Sequence, residues 1–256
     1  MTQQIVYLSP NLKVFSSAPL DARLPALAIC FQYRLDNQHL NQPGFAASGI
    51  DRLEIAALFV NCASNAWYQY PDLPLALAAL RSAAADFACT VTYGSSMGAY
   101  AAIRFASALG ARRSIAVAPQ YFPRAGVLAG GNRYGGLVAP VEFLHEHRYR
   151  VSDDVENFII FDPFHQVDRR HVDMYRADAA VRLVPVPFGG HVPTAVLAQC
   201  GMLLPFLDSL IEGRFDGPDF RRAFRQHRRA SSVYLQQVRR GLAERRQARC
   251  RGVGAD

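Results

Sequence analysis

The chain has 256 residues, half of them hydrophobic and 19% charged, which is the composition of one ordinary globular domain and not of a disordered or disulfide-stapled chain. Its net charge of +7 is gathered at one end: from Arg214 to Asp256 twelve arginines meet four acids, a local +8 that leaves the first 213 residues at −1, so nucleic acid is not an expected partner of the body. The five cysteines (Cys30, Cys62, Cys89, Cys200, Cys250) form no C-x-x-C pair, so free thiols are expected and no metal or redox pair is; with no apolar run of about 20 residues and no basic-then-apolar leader, a cytoplasmic location without a transmembrane segment is expected.

In chain order, two edge-strand candidates come first, IVYLSP and KVFSSA. Six short apolar runs rich in β-branched or aromatic residues then follow: Leu27 to Gln32, Ile55 to Asn61, Cys89 to Tyr93, Ser114 to Ala118, Phe158 to Asp162 and Arg182 to Pro187. Between them lie Ala-rich helical stretches at Leu73 to Ala85 and Met97 to Leu109, the second closed by Gly110. Pro193 to Glu212 reads as one further helix. Such alternation predicts an α/β fold, a three-layer α/β/α sandwich with a mostly parallel central sheet. Gln120 to Asn157 carries five glycines between residues 126 and 136 with little periodicity, and reads as a long irregular excursion. A boundary at Gly213 to Pro218 divides an α/β domain, residues 1–213, from an Arg-rich helical tail, residues 214–256. The tail's basic face reads as a solvated surface or a partner-binding extension.

The chemistry is carried by CTVTYGSSMGAYAAIRFASALG, where a strand runs into Gly94-Ser95-Ser96-Met97-Gly98 and a helix leaves it. A serine in a sharp strand-to-helix turn needs residues without bulk two before and two after it, because strand and helix come close there. Gly94 and Gly98 supply that, making Ser96 the candidate nucleophile and the Met97 N–H a candidate oxyanion donor at a helix start. The competing reading is a tightly packed Gly-rich turn or an anion site.

A serine nucleophile needs a base, and the base needs a carboxylate. His191 lies in the short loop FGGHVP after the last expected strand. For the acid, Asp168, read as a loop residue before a helix, is preferred to Asp162 at the strand tip, whose other reading is a turn brace; Asp168's own other reading is a helix N-cap. The second oxyanion N–H is sought just after LAICFQ, at Gln32 or Tyr33, and Tyr33, Trp67 and Tyr68 are candidate walls of a substrate site, with plain packing as the alternative.

GSSMGAYAA after a strand, with Asp168 and His191 following in that order, resembles the α/β-hydrolase superfamily of serine esterases and acyl transferases over about residues 25 to 212. The resemblance implies an acyl-enzyme route on an ester, thioester or other acyl bond of a small-molecule substrate, with no cofactor and no metal. Transfer to a hydroxyl acceptor, or a non-catalytic protein of this fold whose basic tail binds a partner, are the alternatives. Superfamily membership fixes neither the acyl group nor the oligomeric state.

Overall fold

The computed structural model describes residues 3–121 and 142–252, with side chains through residue 243. The strands are β1 (Gln4–Leu8), β2 (Leu12–Ser16), β3 (Leu27–Phe31), β4 (Ala56–Cys62), β5 (Thr90–Ser95), β6 (Arg113–Val117), β7 (Glu156–Phe161) and β8 (Val181–Pro185). The helices are α1 (Ala47–Ile50), α2 (Leu73–Ala84), α3 (Met97–Phe105), α4 (Gln166–Asp178), α5 (Pro193–Gln199), α6 (Leu203–Glu212), α7 (Gly217–His227) and α8 (Ser232–Gly252). All eight strands form one sheet in the order β1-β2-β4-β3-β5-β6-β7-β8. The β1–β2 and β2–β4 pairs are antiparallel and the other pairs parallel.

Side-chain alternation along the strands explains the layers. Leu27, Ile29 and Phe31 of β3 and Leu58 and Val60 of β4 face α2 and α3, where Leu77, Leu80, Tyr100 and Phe105 meet them. Tyr93, Ile115, Val117, Phe158 and Ile160 face the opposite layer of α5, α6 and α7. Strands covered on both sides must be apolar at every position, and β3 is buried throughout. This is the expected α/β/α sandwich, with the antiparallel edge in place. Four expected free thiols, Cys30, Cys62, Cys89 and Cys200, are free.

Three expectations change. The span from Pro193 to Glu212 is two helices, α5 and α6, set at 114° to each other. The break falls at Gly201, whose φ of +69° only glycine adopts without strain. Asp168 is not in a loop: α4 begins at Gln166, so the carboxylate lies in its first turn. The helices after Gly213 form, but their apolar face is not free, because Phe220, Phe224 and Tyr234 join the core beside α5 and α6. The irregular excursion falls largely on residues 122–141, outside the described residues, while 142–155 contain neither helix nor strand. Among the described residues no single helix is long and apolar enough to cross a membrane.

Candidate active site

The turn between β5 and α3 is as tight as its glycines require. A Cβ on Gly94 would lie 2.2 Å from the Gly98 carbonyl oxygen, and one on Gly98 would lie 2.2 Å from that of Phe31. Neither can be backed away from, since the obstructing atoms are backbone. Ser96 itself has φ 53° and ψ −113°, a conformation that costs a non-glycine residue on the order of 1–3 kcal/mol and persists only where the surroundings impose it. Its N–H donates to the Val117 carbonyl on β6 at 2.9 Å, and Thr92 ties β5 to α3 through the Ala102 carbonyl at 2.7 Å. The hydroxyl is thereby lifted above the carboxyl ends of the parallel strands, where ligands of open α/β sheets bind.

His191 and Asp168 reach this hydroxyl. The His191 Nε2 lies 3.1 Å from Ser96 Oγ, and its Nδ1 lies 2.9 Å from both Asp168 carboxylate oxygens. A buried carboxylate requires a donor, which puts the proton on Nδ1 and leaves the Nε2 lone pair facing the serine. Asp168 is fully buried. Burial alone would raise its pKa, but hydrogen bonds from His165 and His191, and the attraction of both rings, outweigh it and hold the carboxyl at about 2.

His165 also reaches the acid. It caps α4 at the position three before Asp168, its Nδ1 lying 3.3 Å from the Asp168 N–H and 3.0 Å from Oδ2. One Nδ1 cannot serve both: unprotonated it accepts the Asp168 N–H as the cap, protonated it donates to Oδ2, and the shorter distance favours the second, which gives the acid a second imidazole donor. His171, one turn further along α4, accepts the Tyr121 N–H at its Nδ1, 3.1 Å away; burial pushes this ring down to about 4, keeping it neutral and able to accept.

Asp162 takes the bracing role. It accepts the N–H groups of Phe164 at 2.9 Å, Phe188 at 3.0 Å and Gly190 at 2.9 Å, so it joins the end of β7 to the loop that carries His191. Phe188, at φ +60°, is strained there and needs such support, whereas Gly190, at +62°, takes the turn freely. Asparagine offers one oxygen and points an NH2 at an N–H. With that oxygen kept for Phe164 and Phe188 and the NH2 turned to the Gly190 N–H, Asp162→Asn is expected to cost about 1.5–3 kcal/mol of stability, the scale of one charge-assisted hydrogen bond, read by urea unfolding; coincident wild-type and variant transitions would show that the brace carries no load.

Several expected site residues lie elsewhere. The Gln32 N–H donates to the Val60 carbonyl at 3.2 Å, a sheet hydrogen bond that removes it as an oxyanion donor. The neighbouring Tyr33 N–H is held instead by the Gln32 side-chain oxygen at 3.1 Å, and Tyr33 is 40% exposed, its ring edge-on to Phe45. As the first residue of α3, Met97 has no intrahelical acceptor for its N–H. Trp67 and Tyr68 are not walls of an open site: both are fully buried. Trp67 packs edge-on against Tyr100 with ring centroids 6.0 Å apart, and the Tyr68 hydroxyl donates to the Gln32 carbonyl at 2.7 Å, steadying the end of β3.

No protein-family model matches the sequence, and no curated protein does. Among solved structures the chain is similar to Est1E from Butyrivibrio proteoclasticus, with a TM-score of 0.57 and 12% identity over 82% of this chain and 99% of that one. It is also similar to the capsule O-acetyltransferase of Neisseria meningitidis serogroup A, with a TM-score of 0.55 and 10% identity over 80% and 92% of the two chains. A hydrolase from Pseudomonas aeruginosa matches with a TM-score of 0.51 and 12% identity over 80% and 98%. The strand order, the turn at Ser96 and these likenesses together show that the chain has the α/β-hydrolase fold.

Proposed function

We propose that the protein is a serine hydrolase that cleaves an ester, thioester or related acyl bond through an acyl-enzyme on Ser96. The observation that carries this reading is the unbroken hydrogen-bonded line from Ser96 Oγ through the His191 ring to the buried Asp168 carboxylate. His191 Nε2 removes the hydroxyl proton as Oγ attacks the acyl carbon, and the imidazolium formed is stabilised by Asp168. The Met97 N–H, with the Tyr33 N–H released from the Gln32 side chain, receives the tetrahedral oxyanion. As it collapses, the imidazolium gives its proton to the leaving oxygen or sulfur; water, deprotonated by the same ring, then releases the acid and restores the serine hydroxyl.

The same acyl-enzyme could pass its acyl group to a hydroxyl, and the O-acetyltransferase among the structures of this fold makes that the second reading. A fluorophosphonate is the direct test of the shared step, since it needs an activated serine and no knowledge of the natural acyl group. Wild-type protein is expected to be labelled stoichiometrically at Ser96, as mapped by peptide mass spectrometry; folded protein that stays unlabelled would sink both readings.

A further inference from the structure

We propose that the C-terminal helix α8 is a positioning element for His191, so that the Arg-rich extension is a working part of the site and not an appendage. This rests on the reading of His191 as the base. The loop from Phe188 to Gly190 delivers that histidine, and α8 lies against it along one face. The Tyr234 ring meets the Phe188 ring edge-on with centroids 5.9 Å apart. One turn on, the Gln237 amide nitrogen lies 3.4 Å from where a Cβ on Gly190 would be. After another turn, a Cβ on Gly241 would lie 3.5 Å from Phe188 Cε1. Positions 234, 237 and 241 share one face of a helix, and at all three that face meets the loop.

The other flank of His191 is held by the same helix. Gln199, at the end of α5, accepts through Oε1 from the Ser231 hydroxyl at 2.7 Å, the Val233 N–H at 3.2 Å and the Ser232 hydroxyl at 3.4 Å. The start of α8 is thus tied to the helix that begins two residues after His191. α8 is itself fixed to the core, because Tyr234 packs on Phe224 of α7, with ring centroids 6.2 Å apart. Asp162 grips the loop from the sheet side and α8 covers its outer side. Between them the loop's left-handed Phe188 and Gly190 are held in place.

The test uses full-length protein. Gln199 is exposed, so Gln199→Leu releases the start of α8 without opening the core, and Gly241→Leu drives a side chain into the Phe188 ring. Each is expected to lower kcat on a p-nitrophenyl ester about 10- to 100-fold with KM within about twofold, the scale of an ångström-sized displacement of a reacting group. Fluorophosphonate labelling of Ser96 should slow in parallel, and amide hydrogen exchange across residues 187–193 should quicken. Gln199→Glu, which keeps the acceptor, and Gly241→Ala, whose nearest neighbour is at ordinary contact distance, should restore most of the rate. Variants of wild-type melting temperature that turn over and label at wild-type rates would overturn the proposal while leaving the Ser96 chemistry intact. Wild-type protein that fails to label would instead remove the reading of His191, and the proposal with it.

Discussion

Ser96→Ala lowers kcat on a short-chain ester by roughly 10³- to 10⁶-fold, the range seen when a serine that works as a unit with its base and acid is removed. The expectation follows from geometry: Ser96 Oγ is within hydrogen-bond reach of His191 Nε2, and alanine leaves the imidazole with no nucleophile to activate. The variant should fold as the wild type does, since its methyl group fits wherever the serine Cβ fits and the turn is enforced by Gly94, Gly98 and the hydrogen bond to Val117. Residual activity from the oxyanion donors and binding alone should survive. Ser95→Ala is the control, because only Ser96 is centred between the glycines. A Ser96→Ala protein with wild-type kcat would end the covalent reading.

How much of this was legible in the sequence depends on the distance over which each feature is decided. The turn at Ser96 was legible because its requirements are local: two glycines four residues apart, a strand before and an Ala-rich helix after. The order of Ser96, Asp168 and His191 was legible for the same reason, each following a recognisable strand, although Asp168 falls inside the first turn of α4 and not in the loop before it. Gly201 was overlooked because the apolar spacing carries on across it from Leu197 to Leu204, so the helix pattern hid a left-handed residue. Trp67 and Tyr68 were misplaced because an aromatic residue after a strand reads alike whether it lines a cleft or fills a core. Only the packing of Tyr100 and Gln32 against them decides it. The Gln32 N–H was misread because an apolar run does not say where the last ladder hydrogen bond falls. Least legible was the contact of Tyr234 and Gln237 with the loop at Phe188 and Gly190, some 45 residues away in sequence. Arginine-rich composition drew attention to the outward face of the extension, while its function, in our reading, lies on the inward one.

Asp168→Asn is expected to cost about 10⁴ in kcat, because an amide can present its NH2 to His191 Nδ1 and so stabilise the tautomer with the proton on Nε2, facing the serine. Asp168→Glu should lose less if the longer side chain still reaches the ring. Acid stability separates this role from plain packing. The Asp168 carboxyl is held at about 2, below the usual 3.8, so the folded state binds this proton less readily than the unfolded one. Its contribution to stability is complete above the usual value and is lost as pH falls from there through about 2. His171 acts in a higher window: its folded value of about 4 is below the ordinary 6.5, so the unfolded state binds the extra proton and stability declines as pH falls from 6.5 towards 4. Urea unfolding of the wild type between pH 7 and 2 should therefore show two successive declines. Asp168→Asn should keep the upper one, extended to lower pH because the carboxylate that raises the His171 value is gone, and should shrink the lower one to the share that Asp72 and Asp21 retain. If the lower decline persists unchanged in the Asn variant, the carboxylate is not charged against two imidazoles as the hydrogen-bond geometry places it, and the orienting role assigned to it goes as well.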